Sequence, residues 1–318
     1  MVWAYIAVGV RILINPLGNA MQKSLTGGRE CGEESDKGNR RLEPGEVNFL
    51  TYFILGLCCI PFAWRYSWGE LPAEFWGYAA GGGLLGALGN GCLVKALRGG
   101  ELSILGPINS YKSIVGLLFG ILILGEHPSM GGILGMGLII AGSYLVFETL
   151  EGGFSLQILK NREIRYRLAA LVLNAIEAVM IKKVILFSGV EISFCVWCWF
   201  GAIFSLGWYW IPASESKKRN GIEESHGWRR NGFPKIVPKM NGRQRGILFA
   251  LALSVGVNQF CTNYAFAYIP VGYALALFQL STVVSVFLGY LFFREGKIMR
   301  KLAGALIMMG GSVWVILG

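Results

Sequence analysis

The residues of this chain that could do chemistry are ionisable and amide side chains set inside apolar stretches. Arg11, Asn15 and Asn19 recur every four residues, so on a helix they share one face. Asn109 and Lys112 share a face three apart, just after Pro107, whose missing N–H frees a backbone carbonyl. Asn174 and Glu177 repeat that spacing. Asn258 with Thr262 and Gln259 with Asn263 form adjoining polar stripes, and Gln279, Ser281 and Ser285 add a further set. A cation at the centre of a bilayer costs about 2.5 to 3.5 kcal/mol on insertion scales, so it normally faces a protected cavity. These groups could line a midplane site for a small solute. Arg11 and Lys112 would supply positive charge and Glu177 negative, and the excess of one positive charge favours an anionic or zwitterionic solute. Glu177 could also couple a proton to the solute. The structural alternative is that Glu177 pairs with Arg11 or Lys112 to hold helices together, while the amides bond between helices for about 0.6 kcal/mol each.

Catalysis has little to work with here. The only histidines are His127 and His226, and Asp36 is the only aspartate. No HExxH, GxSxG or GxxxxGK[ST] occurs, which argues against a metalloprotease, a serine hydrolase and an ATP-driven machine. Cys195 and Cys198 have redox or zinc spacing, but they fall in an apolar run with no nearby His, and packing explains them. The reading is a non-enzyme with no cofactor and no metal.

Composition sets the scaffold that carries these side chains. The chain of 318 residues is 54% hydrophobic and 15% charged, with mean hydropathy +0.52, and this places it in the integral membrane class. Its apolar runs are unbroken rather than alternating, so the fold class is all-α. Ten transmembrane helices are expected at 2–25, 46–66, 72–95, 101–124, 129–149, 166–188, 190–212, 244–268, 271–293 and 297–317. The first lacks the basic start and small-residue cleavage site of a signal peptide and is expected to stay. Polar loops occupy 26–45 and 213–243. The net charge of +10 lies in such links, so membrane topology accounts for it without nucleic acid. Most of the 29 Lys and Arg lie in or beside the odd-numbered links, against Arg65, Lys182 and Lys183 in the even ones. The positive-inside rule then puts odd links in the cytoplasm and both termini outside. Short termini and the lack of an organelle signal point to a plasma membrane, specifically a bacterial inner membrane.

The sequence also repeats. An offset of 169 lays 90–147 on 259–316 without a gap and matches Ala96/Ala265, Val115/Val284, Gly120/Gly289, Glu126/Glu295, Gly135/Gly304, Gly142/Gly311 and Ser143/Ser312. Offsets of 159 and 145 align earlier helices, pairing Asn15 with Asn174, Lys23 with Lys182, and Gly56 with Gly201. Two five-helix units, 1–150 and 160–318, result; the second carries the polar loop 213–243. Five is odd, so the copies enter the membrane from opposite sides as inverted repeats. Glu126 and Glu295 each precede a helix and read as structural caps on its dipole. Gly81-Gly82-Gly83 could be a flexible point.

With the duplication, Gly125-Glu126, Pro107 followed by Gly120 to Glu126, and the glycine-rich helix beyond, the chain resembles the drug/metabolite transporter superfamily, specifically EamA-type ten-helix carriers. The second half departs from the pattern, with Arg294 where Gly is usual before Glu295 and Ala276 opposite Pro107. The resemblance implies a secondary carrier, an exporter or exchanger of amino acids or related metabolites, working by alternating access around a central cavity. It also implies cytoplasmic termini, opposite to the charge count. A lipid-linked substrate flippase and a non-transporting scaffold or receptor are the alternatives.

Overall fold

The computed structural model describes residues 2–27, 41–64, 66, 68–112, 115, 130–149, 160–210, 240–269 and 271–317. Among the described residues the chain is helical, with no strand. Its helices are α1 (Val2–Thr26), α2 (Pro44–Ala63), α3 (Ala73–Gly99), α4 (Leu102–Leu105), α5 (Met130–Phe147), α6 (Arg162–Trp210), α7 (Gly242–Tyr268), α8 (Val271–Phe278), α9 (Ser281–Phe293) and α10 (Ile298–Leu317). Three of them, α1, α2 and α7, are long and apolar enough to cross a membrane. At 1.5 Å per residue α1 reaches about 38 Å, more than the hydrocarbon core of about 30 Å. Large apolar side chains such as Leu57, Phe62, Phe249 and Leu253 stay exposed on the outside of the bundle, as lipid-facing residues do.

These helices differ from the ten expected spans in two places. The span expected at 101–124 breaks early: α4 ends at Leu105, and Pro107–Ser110 form a turn of 3₁₀-helix. Pro107 causes this, because it has no N–H and its ring clashes with the preceding turn. The Leu105 carbonyl at the break accepts a hydrogen bond from Arg167 Nε at 2.8 Å. The span expected at 271–293 is also divided, since turn residues Gln279 and Leu280 separate α8 from α9. The spans expected at 166–188 and 190–212 meet at Gly189, whose φ of 80° and ψ of −176° are not helical, so α6 is two helical stretches divided where the sequence places the boundary. Only glycine takes such a conformation readily.

The two broken segments lie at corresponding places. The offset of 169 carries Ser110 onto Gln279, and Asn109 Nδ2 donates to Gln279 Oε1 at 3.3 Å, joining one break to the other. A second pair of contacts relates the halves more directly. A Cβ on Gly142 would lie 2.7 Å from the Gly304 carbonyl oxygen, and one on Gly311 would lie 2.7 Å from that of Gly135. Replacing each residue of the first contact by its repeat partner gives the second. A two-fold axis between α5 and α10 requires that relation.

Packing also gives the bundle two unlike faces. α1 and α7 run antiparallel, because Arg11 meets Thr262 while Met21 and Gly18 meet Ser254. Exposed Trp3 and Tyr5 start α1, Trp64 follows α2, Trp76 opens α3 and Tyr268 closes α7, all at one face. Lys23, Arg98, Arg243 and Arg245 mark the opposite ends of α1, α3 and α7. An aromatic belt and a cationic rim are what insertion in a bilayer favours.

Two expectations about small elements change. Gly81-Gly82-Gly83 lies in unbroken α3, and a Cβ at Gly83 would stand 2.3 Å from Phe200 Cβ, so tight packing against α6 and not flexibility is its role. Glu295 does cap a helix start, but not that of α10 after it. Its Oε1 and Oε2 accept the backbone N–H of Leu102 and Ser103 at 2.7 and 2.8 Å, so it caps α4 in the other half. Glu126 lies outside the described residues.

Candidate functional site

A cavity of about 130 Å³ lies where α1, α3, α6 and α7 converge. On α1 it is lined by Arg11, Asn15 and Asn19, the face with a spacing of four. Lys112 reaches it from beyond the broken α4. α6 contributes Asn174 and Glu177, and α7 contributes Asn258 and Gln259. Eight of the eleven sequence-derived candidates thus meet at one place.

The other three do not line it. Asn109 and Gln279 hydrogen-bond to each other at the two helix breaks. Ser281 turns its hydroxyl back to the Phe278 carbonyl at 2.7 Å. These groups satisfy backbone and side-chain polarity where the helices are interrupted, a demand that periodicity alone does not reveal.

The charges in the cavity are held by neutral partners. Arg11 Nε donates to Thr262 Oγ1 at 2.8 Å, and the guanidinium carbon sits 3.5 Å from the centre of the Phe278 ring. Stacking of this kind is worth about 2 kcal/mol when desolvated. Among the described residues, buried Arg11 Nη1 has no hydrogen-bond partner. Glu177 Oε1 accepts from Trp197 Nε1 at 2.7 Å. Lys112 lies within electrostatic reach of Arg11, Glu177 and Arg167. Among the described residues no salt bridge joins Glu177 to Arg11 or Lys112. Of the structural alternative, the direct ion pair of Glu177 is not found among the described residues, whereas an amide bond between helices is, from Asn109 to Gln279.

Glycines on α3 make room for the α6 side chains. A Cβ at Gly86 would lie 2.5 Å from Glu177 Oε1 and 2.9 Å from Trp197 Nε1, and one at Gly89 would lie 2.0 Å from Asn174 Oδ1. The polar face of α6 therefore inserts its side chains into slots along α3.

Sequence reasoning missed several cavity residues. Gln22 lies three residues past Asn19 on the same face of α1, so the spacing rule could have found it. Asn90 and Tyr52 carry no spacing signal. Gln22 Nε2 donates to Asn90 Oδ1 at 3.1 Å, Asn90 Nδ2 to Asn48 Oδ1 at 2.6 Å, and Asn48 Nδ2 to the Ala87 carbonyl at 2.9 Å. Cys195 and Cys198 are buried free thiols in the apolar core.

Immediately after Gln22, Lys23 pairs with Glu295 at 2.6 Å and sits 4.3 Å from the centre of the Phe293 ring. Lys301 donates to Ser103 Oγ at 2.9 Å and pairs with Glu101. This ionic cluster ties α1, the α3–α4 link and the α9–α10 link together at the cationic face.

The family model of the EamA-like transporter family matches residues 34–148 and 163–317, two copies along the chain. No curated relative matches. Twenty-five chains of solved structures do. One, described as "Crystal structure of protein", is 15% identical with a TM-score of 0.62, and the alignment covers 100% of this chain and 97% of that one. At that identity the likeness concerns the fold alone.

Proposed function

Because the chain belongs to the EamA-like transporter family and so is a membrane transporter of small solutes, we propose that it is a secondary carrier for a small anionic or zwitterionic metabolite, an exporter or exchanger. The observation that carries this reading is the unpaired charge in the cavity. Among the described residues, Arg11 presents a buried Nη1 with no hydrogen-bond partner and no salt bridge joins Glu177 to Arg11, while Lys112 lies within electrostatic reach of Glu177. A buried cation left without an anion is costly, so a solute carboxylate or similar anion is the natural complement.

In this reading Arg11 and Lys112 hold the anionic group. Asn15, Asn19, Asn174, Asn258 and Gln259 supply neutral hydrogen bonds, and Glu177 carries a positive group or a coupled proton. The units 1–150 and 160–318 rock as inverted five-helix halves about the cavity, within a ten-helix bundle. The broken α4 and the α8–α9 pair are the elements that shift. The Lys23–Glu295 pair closes the cationic end, which we place in the cytoplasm of a bacterial inner membrane by the positive-inside rule, with both termini outside.

The test is flux into liposomes containing the purified protein, over a panel of labelled carboxylic and amino acids. Arg11→Ala and Lys112→Ala should each lower uptake of the best solute by tenfold or more, and Glu177→Gln should change its pH dependence. Unaltered flux in all three variants would overturn the cavity as the solute site.

A further inference from the structure

We propose that Gln22 determines specificity in the cavity, its side-chain oxygen accepting a hydrogen bond from a donor at the end of the solute remote from the anionic group. This rests on the reading of the cavity as the solute site. Gln22 is 2% exposed and lines the cavity, and among the described residues its Oε1 has no donor. The direction of that amide is set by the relay behind it. A backbone carbonyl can only accept, so Asn48 must turn its Nδ2 toward Ala87. Asn48 Oδ1 is then the acceptor for Asn90 Nδ2, and Asn90 Oδ1 the acceptor for Gln22 Nε2. Gln22 Oε1 is what remains. Turning the Gln22 amide over would set two oxygens against each other at Asn90, so the relay ends on an acceptor.

A buried acceptor without a donor is destabilising, and native proteins rarely keep one without a use. Arg11 Nη1 is the complementary case, a buried donor without an acceptor on the same helix. About 16 Å of helix separates the two residues along α1. The group read by Gln22 therefore belongs to the far end of an extended solute and does not lie beside its acid. The ligand class is a carboxylate that bears a hydroxyl, amino or amide group at its distal end. Asn258 Oδ1 is another buried acceptor without a donor, but Asn258 is one turn from the Thr262 that holds Arg11, so it belongs to the acid end.

The experiment uses the purified full chain in detergent and matched pairs of straight-chain carboxylates of increasing length, each with and without a terminal hydroxyl or amide. Apparent affinity is read by thermal shift. In the wild type the donor-bearing member of the longer pairs should bind about tenfold tighter, the equivalent of one net hydrogen bond. Gln22→Met should abolish that preference, so that the donor-bearing and plain members of each longer pair bind alike. Melting without ligand reports whether the variant folds. Acids that bind without discrimination at any length, or a preference that survives in Gln22→Met, would overturn the inference alone. Failure of every acid to bind the wild type would overturn the carrier reading and the inference together.

Discussion

Lys23 Nζ lies 2.6 Å from Glu295 Oε1, and the same carboxylate takes the backbone N–H groups of Leu102 and Ser103. One side chain from the second half thus ties down both the end of α1 and the start of α4. Both members of the pair are 7% exposed. Removing one of them leaves a buried charge, which costs about 3 to 5 kcal/mol. Lys23→Ala and Glu295→Ala should each lower the melting temperature sharply, and Lys23→Met/Glu295→Gln should recover part of the loss. A double-mutant cycle from thermal melts measures the coupling.

The same pair sets an acid limit. Burial raises the Glu295 carboxyl, but the charge of Lys23 and the hydrogen bonds from Lys23 and Ser103 outweigh it and hold the group below its ordinary value of 4.5. A carboxyl depressed in the folded state contributes stability that is present above the unfolded value and lost as pH falls through the folded one. The contribution should be complete at neutral pH and disappear only below about pH 4.5. Melting curves of wild type and Glu295→Gln should therefore converge in that acid range. Curves that keep a constant separation down to pH 3 would refute the linkage.

Gly189 kinks α6 with a φ of 80°, in a region reserved almost wholly for glycine. Placing a Cβ there costs about 1 to 3 kcal/mol in backbone strain, although the nearest atom, Glu191 Oε2, is 3.8 Å away. Gly189→Ala should destabilise through strain and not through a clash, and Gly189→Val, whose branched side chain tolerates a positive φ least, should lower the melting temperature further.

At Gly89 the expected effect is on flux more than on stability. An added Cβ would stand 2.0 Å from Asn174 Oδ1, the tip of a side chain that can swing away. Gly89→Ala should leave the fold intact and displace Asn174 from the cavity. Liposome flux should fall severalfold while the melting temperature changes little.

The α5–α10 crossing offers the opposite case. Both residues of each contact are glycine, and a Cβ at Gly304 would lie 2.6 Å from the Gly142 carbonyl. Backbone cannot yield as a side-chain tip can. Gly142→Val and Gly311→Val should therefore destabilise to a comparable extent, because a two-fold axis makes the two sites equivalent. Unequal losses would count against that equivalence.

Much of the cavity was legible in the sequence, because a polar residue in a lipid-facing run carries its own warning. Arg11, Asn15 and Asn19 keep a spacing of four, and Asn174 and Glu177 a spacing of three, which on a helix gives one face without further information. Asn48 and Asn90 gave no such signal. Each is a single amide in its own helix, and only the packing of α1, α2 and α3 makes them a relay ending at Gln22. Asn109 and Gln279 misled for a related reason: both read as cavity residues while serving the helix breaks.

By itself the sequence determined membrane residence, helical class, duplication and the polar faces, all of which follow from local hydropathy and spacing. Tertiary structure decided partnership. Glu295 looked like a cap for the helix after it, yet it caps a helix almost two hundred residues earlier. Glu177 looked ready to pair with Arg11 or Lys112, yet it accepts a hydrogen bond from Trp197. A charged side chain satisfies whichever group lies within about 3 Å in the folded bundle, and that neighbour is fixed by how helices from both halves pack.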